Sequence, residues 1–510
     1  MDPVDATPPR VGAAADAHAA APLLNCLLRE AGEPVGASGA AHVHRLKGSG
    51  RLLRVQGTRR PTHPEVRTAA DTWQPLTHTG LVGLAVGELR ALTGPSDSGL
   101  PAEMLDSREA VAALLTARAR TPAPEDPYRR SEQSLITGHP FHPAPKARGG
   151  GPPDRWLPYA PEAYARFPLT LLGVREDTVV EEGDTTALDA LGPAPPGYRL
   201  LPAHPWQLDL LGAGLADAFA DGRLVRLGRT SGEVWPTAAI RTVYVPGDAP
   251  GDVPDLFLKF SLDVRITNDI RRLWRHDLLK LRRTDSAVTA AFAGQPGTWL
   301  SDRGYRTADF AFEELAVLVR DGLDGHVPPG TTPCLAAALT EDTAAFPGNP
   351  LADTTDPAAW WEAYLRAVVP PALAAFHGHG VVLEAHLQNT LVACDATGTP
   401  VRAVYRDAEG VKLLSDVTRE AGWERLVYCL VVNNLLEIAA ALAEHHPGLD
   451  PWPAVRHELA RHPEPPEAAA LLDSPTLPGK TNLLLRWTAA DGADARYLPL
   501  PNPIRTSRAG

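Results

Sequence analysis

The chain has 510 residues, 44% of them hydrophobic and 22% charged, with a formal net charge of −12; these values allow a large core and exclude a disordered or collagen-like chain. The length points to about three packed units rather than one small domain. The acidic balance excludes nonspecific nucleic-acid binding as the main task, since that needs a basic surface.

Lysine is scarce, occurring only at Lys47, Lys146, Lys259, Lys280, Lys412 and Lys480, so each one carries information. Cys26, Cys334, Cys394 and Cys429 lack Cys-x-x-Cys spacing. Neither a zinc knuckle nor a disulfide framework is indicated, and a reducing cytoplasm fits best. The N-terminus, MDPVDATPPRVGAAADAHAAAPLL, has no basic region followed by an apolar run, so it does not read as a secretory signal. No stretch reaches the roughly 18 apolar residues of a membrane helix. The expectation is a soluble, cytoplasmic protein with no membrane or nucleic-acid partner.

In chain order, residues 1–20 are expected to be a disordered arm, because Ala, Pro and Asp offer little to bury there. A helix is expected from Asp106 through DSREAVAALLTARAR, stopped by Thr121-Pro122-Ala123-Pro124. Residues 131–150, SEQSLITGHPFHPAPKARGG, gather Glu132, His139, His142, Lys146 and Arg148 among Gly and Pro, which predicts a loop. It is either a polar lid over an anion or a solvated surface loop; His139-Pro-Phe-His142 is not a recognised metal spacing. The EEGD and GPAPPG runs of residues 183–197 suggest a boundary. YRLLPAHPWQLDLL (198–211) reads as a strand and a turn, with His204 and Gln207 in a packed corner.

The stretch from Arg229 to Arg275 is the cationic centre of this acidic chain: it holds Arg241, Lys259, Arg265, Arg271 and Arg272, with a Pro/Gly/Asp-rich connector in its middle. With period 2, Leu258, Phe260, Leu262, Val264 and Ile266 share one strand face, and Lys259, Ser261, Asp263, Arg265 and Thr267 share the other, wet and cationic face. Thr267-Asn268-Asp269 predicts a helix start with Asn268 as N-cap and Arg271 in the first turn, where free N–H groups and a guanidinium favour an anion. DGLDGHVPPG near residues 322–330 marks a further boundary.

In residues 378–411 a strand is predicted over Val381–Leu391, with Glu384, His386 and Gln388 on one face. A turn at Asp395–Thr399 returns the chain as a hairpin, and Arg406, Asp407 and Glu409 end the returning strand. A carboxylate beside Gln388 and Asn389 suits Mg²⁺, which prefers hard oxygen ligands; an ordinary hairpin tip is the alternative. Helical scaffold follows, and Lys480 and Arg486 are late candidates for a pocket.

Taken together, GHPFHPAPKARGG, HPWQ, PTAAIRTV, LKFSLDVRITNDIRR, EAHLQN and RDAEG resemble, in order, the motifs of the NRPS-independent siderophore synthetases. The resemblance spans residues 131–411 by motif. It implies an α+β, multi-subdomain, hand-like fold with antiparallel sheets: a thumb (21–190), fingers (191–325) and a helical, distantly kinase-like palm (326–510). It further implies a ligase that uses Mg-ATP to adenylate a carboxylic acid, often citrate, and passes the acyl group to an amine or hydroxyl. By that resemblance Thr237, Arg241, Thr242, Lys259, Arg271, Gln388 and Asp407 bind ATP. His139, His142, Lys146, Arg148, Thr267, Asn268, Arg271 and His386 meet the acid, and Glu384, Asn389 and Asp407 hold Mg²⁺. Lys259, Arg271 and His386 carry the chemistry. The assembly state is left open, a homodimer included.

One departure is Ala239, where the family motif commonly has serine; Thr237 would compensate if period 2 puts it on the same strand face. Joining a carboxylate to the α-phosphate of ATP brings two anions together, so the site must first supply positive charge. A small-molecule kinase or ADP-forming ligase would also use Lys259, Asp407 and Asn389, but no glycine-rich phosphate loop or intact kinase catalytic-loop signature is present. A non-catalytic acid or siderophore binder is the other alternative.

Overall fold

The computed structural model describes residues 8–39, 41–247, 254–462, 464–490 and 497–505. Residues 1–7 of the expected arm and 248–253 of the Pro/Gly/Asp connector lie outside this set. Within it, the arm is replaced by a helix, Pro8–Ala31. Its alanines are the reason: Ala15, Ala19 and Ala20 are buried, and Leu23, Leu24 and Leu27 continue the same buried face, so small side chains serve here for close packing. The helix lies on a five-stranded antiparallel sheet running from Gly32–Ser38 to Trp73–Pro75, with helices His78–Thr93 and Leu100–Arg118 beside it. The last of these starts six residues before the expected Asp106, after Gly99 in the left-handed conformation.

Leu483 and Trp487 from the far end of the chain complete this N-terminal core. Glu30, buried at its base, accepts the backbone N–H groups of Leu483 (2.9 Å) and Leu484 (2.8 Å). The helix Asn482–Trp487 is thereby part of the first packed unit.

At the centre, a six-stranded sheet runs in the order Trp235–Pro236, Thr242–Val245, Leu256–Phe260, Val317–Asp321, Asp302–Ala308 and Val179–Gly183. A three-stranded sheet, Thr170–Arg175 between Tyr198–Ala203 and Leu224–Arg229, shares an apolar core with it. Strands on both sides of residue 190 pair in each sheet. The expected boundary there falls within continuous hydrogen-bonded structure.

The third region sets the helices Pro357–His379 and Arg419–His445 against a four-stranded sheet of Thr298–Trp299, Pro400–Tyr405, Thr390–Cys394 and Thr332–Leu335. Thr298–Trp299 pairs parallel with Pro400–Tyr405; the other pairings in this sheet are antiparallel. The result is a mixed fold of helices and mainly antiparallel sheets, as expected.

Two helices, Val11–Ala31 and Arg419–His445, are long and apolar enough for a membrane span, which corrects the expectation that no stretch is. In the second, 78% of the apolar window is buried inside the fold, so a core role accounts for its composition. The four cysteines are free and buried.

Candidate active site

The cationic stretch folds differently from its period-2 reading, and the difference builds the site. The strand breaks at Ser261 into Leu256–Phe260, in the central sheet, and Leu262–Ile266, which pairs with Asp269–Arg271 as a separate hairpin. Ser261 marks the break, accepting the N–H of Leu273 at 2.8 Å and donating to the Glu313 carbonyl at 2.5 Å. The predicted helix start at Asn268 is therefore absent: Thr267, at φ 61°, and Asn268 form the hairpin turn, and the helix begins at Arg275. A two-residue turn needing positive φ outcompetes the N-cap reading, since Thr-Asn-Asp suits both. Arg271 is thus presented by a strand end.

The other expectation, a wet cationic face, fails at Lys259, which is 2% exposed. Its Nζ lies 2.7 Å from Asp407 Oδ1 and 2.6 Å from Glu409 Oε2. Arg241 donates to Glu409 Oε2 at 3.0 Å and to the carbonyls of Arg271 (3.2 Å) and Arg272 (2.9 Å), linking the hairpin to the Arg406–Glu409 turn. Arg320 binds Asp302 at 2.6 Å and approaches Asp407 at 3.4 Å. Burial alone would push both site carboxyls up, but the cations win. Lys259 and Arg320 hold Asp407 well below the usual range, and Arg241 and Lys259 hold Glu409 at about 2.

Four basic groups, Arg241, Lys259, Arg271 and Arg320, thus face three carboxylates, Asp302, Asp407 and Glu409. Arg271 is the unbalanced one. Its guanidinium donates to Thr267 Oγ1 and makes no ion pair among the described residues. Burial, and then the neighbouring Arg241, bring it down to about 10, so it stays protonated at neutral pH.

Beside it lie the histidines of the GHPFHP loop. Burial lowers His139 to about 3, with His386 as the next cause, and also lowers His142 well below its ordinary value, with His139, Asn268 and Arg271 among its neighbours. Both imidazoles are neutral at pH 7. His142 Nε2 and Asn268 Oδ1 are buried without a hydrogen-bond partner. Asn268 Nδ2 donates to Asn482 Oδ1 (3.2 Å), and Asn482 Nδ2 donates to the Phe141 carbonyl (2.6 Å). One polar chain thus joins hairpin turn, C-terminal helix and loop.

Lys146 and Arg148, expected to close over an acid, instead share the buried carboxylate of Glu162. Charges this deep need a partner within the fold. Glu132, assigned to the loop, ends the short helix Pro127–Glu132 and pairs with Arg406 at 2.6 Å. His204 and Gln207 are in a packed corner as read: His204 accepts from the N–H of Trp206 at 3.2 Å and packs on Phe167, and Gln207 holds Asp263.

The strand expected over Val381–Leu391 is also corrected. Only Val381–Val382 and Thr390–Cys394 are strand, and residues 383–389 form a loop. The alternation survives without the ladder: Glu384, His386 and Gln388 are partly exposed while Leu383, Ala385 and Leu387 are buried. The hairpin Thr390–Cys394/Pro400–Tyr405 forms as expected and delivers Asp407, at φ 81°, to Lys259. His386 is neutral at pH 7, lowered by burial against the pull of Glu384 and Asp407. A Cβ at Gly410 would fall 1.7 Å from Glu384 Oε2, so glycine there lets the loop and the turn meet.

The predicted metal set Glu384, Asn389 and Asp407 is not assembled. Glu384 pairs with Arg425 and Asp407 with Lys259, and the described residues contain no group of three His, Cys, Asp or Glu able to hold a metal. Thr237 and Thr242 do meet, but within the protein: Thr237 donates to the Thr242 carbonyl at 3.0 Å and closes a turn over residues 237–242. The strand that would have put Thr237 and Ala239 on one face ends at Pro236.

Among the late candidates, Arg486 is taken by Glu103, whereas Lys480 makes no side-chain hydrogen bond or ion pair among the described residues. It lies near Arg425 and Glu384, its ammonium lowered mainly by burial. Glu409, Arg320, Asp302, Asn482 and Arg425 were not singled out as site residues. The sequence signal for Arg320 was a charge following the apolar run Val317–Val319; Asp302 shares its strand with Arg303 and Arg306 and does not stand out.

Residues 127–341 match the IucA / IucC family model, and residues 358–495 match that of the ferric iron reductase FhuF-like transporter. The chain is 29% identical over 445 residues to an L-2,3-diaminopropanoate–citrate ligase of Staphylococcus aureus, covering 74% of this chain and 75% of that protein. It is 29% identical over 476 residues to the rhizobactin siderophore biosynthesis protein RhbC of Rhizobium meliloti, covering 78% and 80%. The structure of ATP-bound aerobactin synthetase IucA from Klebsiella pneumoniae superposes with a TM-score of 0.82 over 96% of this chain and all of that one; at 22% identity it bears on the fold alone. The family-model match over residues 127–341 and the likeness to these curated proteins identify the chain as a member of the NRPS-independent siderophore synthetase family.

Proposed function

We propose that this chain uses Mg-ATP to adenylate a carboxylic acid, citrate or a related di- or tricarboxylate or its monoamide, and condenses the acyl-adenylate with an amine or hydroxyl, releasing AMP and pyrophosphate. The observation that carries this reading is the uncompensated Arg271 guanidinium beside a balanced Lys259–Asp407–Glu409 cluster. A carboxylate attacking a phosphate needs positive charge that is not already neutralised. The citrate ligase relative supports the substrate class, and the aerobactin synthetase determined with ATP supports the nucleotide.

In this reading the fingers supply the cations, the thumb supplies His139 and His142, and the palm supplies His386 and Asp407. Arg241 and Lys259 meet the phosphates, with Thr237, Thr242 and Gln388 lining the nucleotide. Arg271 holds the acid's carboxylate in line with the α-phosphate, together with Thr267 and Asn268. Neutral His139 and His142 donate or accept one hydrogen bond each without adding charge. His386 orients the acid and accepts a proton in the second step, where the amine must be neutral to attack. Magnesium arrives with the nucleotide as part of the substrate and offsets phosphate charge. Buried thiols fit a reducing cytoplasm.

The test is incubation with ATP, Mg²⁺, a panel of di- and tricarboxylates and an amine such as L-2,3-diaminopropanoate. AMP and pyrophosphate formed only with an acid are expected. ADP and phosphate would instead indicate a kinase or acyl-phosphate ligase, and acid binding without turnover a binding protein; either overturns the proposal.

A further inference from the structure

We infer that the π-helical segment Val427–Leu435 positions the loop bearing His386, and that Asn434 is the positioning residue. The inference rests on the assignment of His386 above, and goes beyond it by naming what holds that side chain in place.

The loop 383–389 has no strand partner, yet its backbone is pinned group by group. Asn434 Nδ2 donates to the Ala385 carbonyl at 2.9 Å, between Glu384 and His386. The Asn433 carbonyl accepts the N–H of Leu387 at 3.2 Å, and the Leu387 carbonyl accepts the N–H of Ala337 at 3.2 Å. Arg406 donates to the Gln388 carbonyl at 2.9 Å, and Thr390 Oγ1 to the His386 carbonyl at 3.1 Å. The side chains of residues 384, 386 and 388 are thereby left to face the site.

The helix can reach this loop because of its own irregularity. Residues 427–435 are π-helical, and the α-helix resumes at Leu436. A π turn carries an extra residue, which slips the backbone register and leaves a carbonyl near the junction available to a partner outside the helix. Asn433 is two residues before that junction. Asn434 is completely buried, and Tyr364 Oη donates to its Oδ1 at 2.6 Å. The Ala385 carbonyl can only accept, so Nδ2 must face it, and Oδ1 is left to take the Tyr364 hydroxyl. Nothing in substrate binding requires a buried asparagine here; its polar atoms are accounted for by the loop and by Tyr364.

The experiment compares Asn434→Leu, Tyr364→Phe and a control, Asn349→Leu. Asn349 is also completely buried, and it donates to two carbonyls, those of Leu339 and Glu341, on a segment outside the site. Asn434→Leu is expected to lower kcat about 10²-fold, the usual cost of roughly 1 Å of misplacement, with KM for ATP nearly unchanged. Tyr364→Phe, which leaves Asn434 Oδ1 buried without its donor, is expected to lower kcat to a value between this variant and wild type, with KM for ATP again nearly unchanged. Asn349→Leu should lose stability with kcat and KM intact.

Equal kcat losses in Asn434→Leu and Asn349→Leu, or a wild-type kcat in Tyr364→Phe, would overturn the inference. If Asn434→Leu does not fold, Tyr364→Phe decides alone. His386→Asn run alongside separates the two levels: full activity in that variant sinks the assignment of His386, whereas an inactive His386→Asn beside a fully active Asn434→Leu sinks only the positioning.

Discussion

Replacing Arg271 by methionine separates function from stability, because this guanidinium serves no carboxylate of the described fold. Methionine keeps the apolar stem of the side chain and removes the charge. If Arg271 makes two charge-assisted hydrogen bonds to the reacting anions, each is worth about 1.5–3 kcal/mol. Their loss totals about 3–6 kcal/mol, or about 10²–10⁴-fold in kcat/KM at ~1.4 kcal/mol per factor of ten. The fold responds in the opposite sense. A guanidinium held at about 10 instead of 12.5 is disfavoured in the native state at neutral pH, by an amount on the order of 3 kcal/mol. The hydrogen bond to Thr267 that the variant loses offsets only about 0.5–1.5 kcal/mol of that. Arg271→Met should therefore melt no lower than wild type while acid-dependent ATP–pyrophosphate exchange collapses. Exchange within tenfold of wild type, or a variant that unfolds at lower temperature, would refute the reasoning.

Three further outcomes test other parts of the site. Asp407→Asn should lower kcat at least about tenfold and alter the Mg²⁺ titration, while Lys259 keeps Glu409 and Arg320 keeps Asp302; breaking one buried pair of several costs stability as well, so the readout is the shape of the titration, and an unchanged one removes Asp407 from cation contact. His204 is held at about 3 by burial, below its unfolded value of 6.5, so the unfolded chain binds the extra proton and stability falls as pH drops below 6.5, by about 1.4 kcal/mol per pH unit until about 3. His204→Asn keeps a side chain suited to the N-cap and should show a shallower acid slope in urea midpoints between pH 6.5 and 4.5; an identical slope refutes the assignment. Ala239→Ser restores the hydroxyl common in related motifs, and one neutral hydrogen bond of about 0.5–1.5 kcal/mol would change KM for ATP by no more than about tenfold, so a larger change in steady-state KM means that Ala239 sets specificity.

What was legible in the sequence was residue type and order; what was not was the backbone that carries it. Arg241, Lys259, Arg271 and Asp407 were chosen for their chemistry, and they come together across more than 160 residues of chain. The local geometry was misread wherever a polar side chain substituted for a ladder. The alternation at Glu384, His386 and Gln388 looked like a strand because alternate exposure is all that periodicity reports. The partners replacing a second strand, Asn434, Arg406 and Thr390, lie up to 49 residues away. Thr267-Asn268-Asp269 was ambiguous for a similar reason, since cap and turn use the same residues and only the pairing of Leu262 with Arg271 decides. The alanine-rich start was read as an arm because small side chains bury little area each. Packed against a sheet and closed by Leu483 and Trp487, they form a core face that composition alone does not reveal.

The interleaving of charge explains how these cations come to lie together in one site. Burying Arg241, Lys259, Arg271 and Arg320 together without anions would drive them to lose protons or push the strands apart. Asp302, Asp407 and Glu409 prevent this, so the site is preorganised before any ligand arrives. The same carboxylates also cancel most of the attraction for an anion, leaving one net positive charge among these groups. In the proposed reaction, neutral histidines beside Arg271 would let shape and hydrogen bonding, rather than bulk charge, choose among acids. A cluster of unpaired cations would bind any polyanion; the proposed one would require a carboxylate that reaches Arg271 and a nucleotide that arrives with its own counterion.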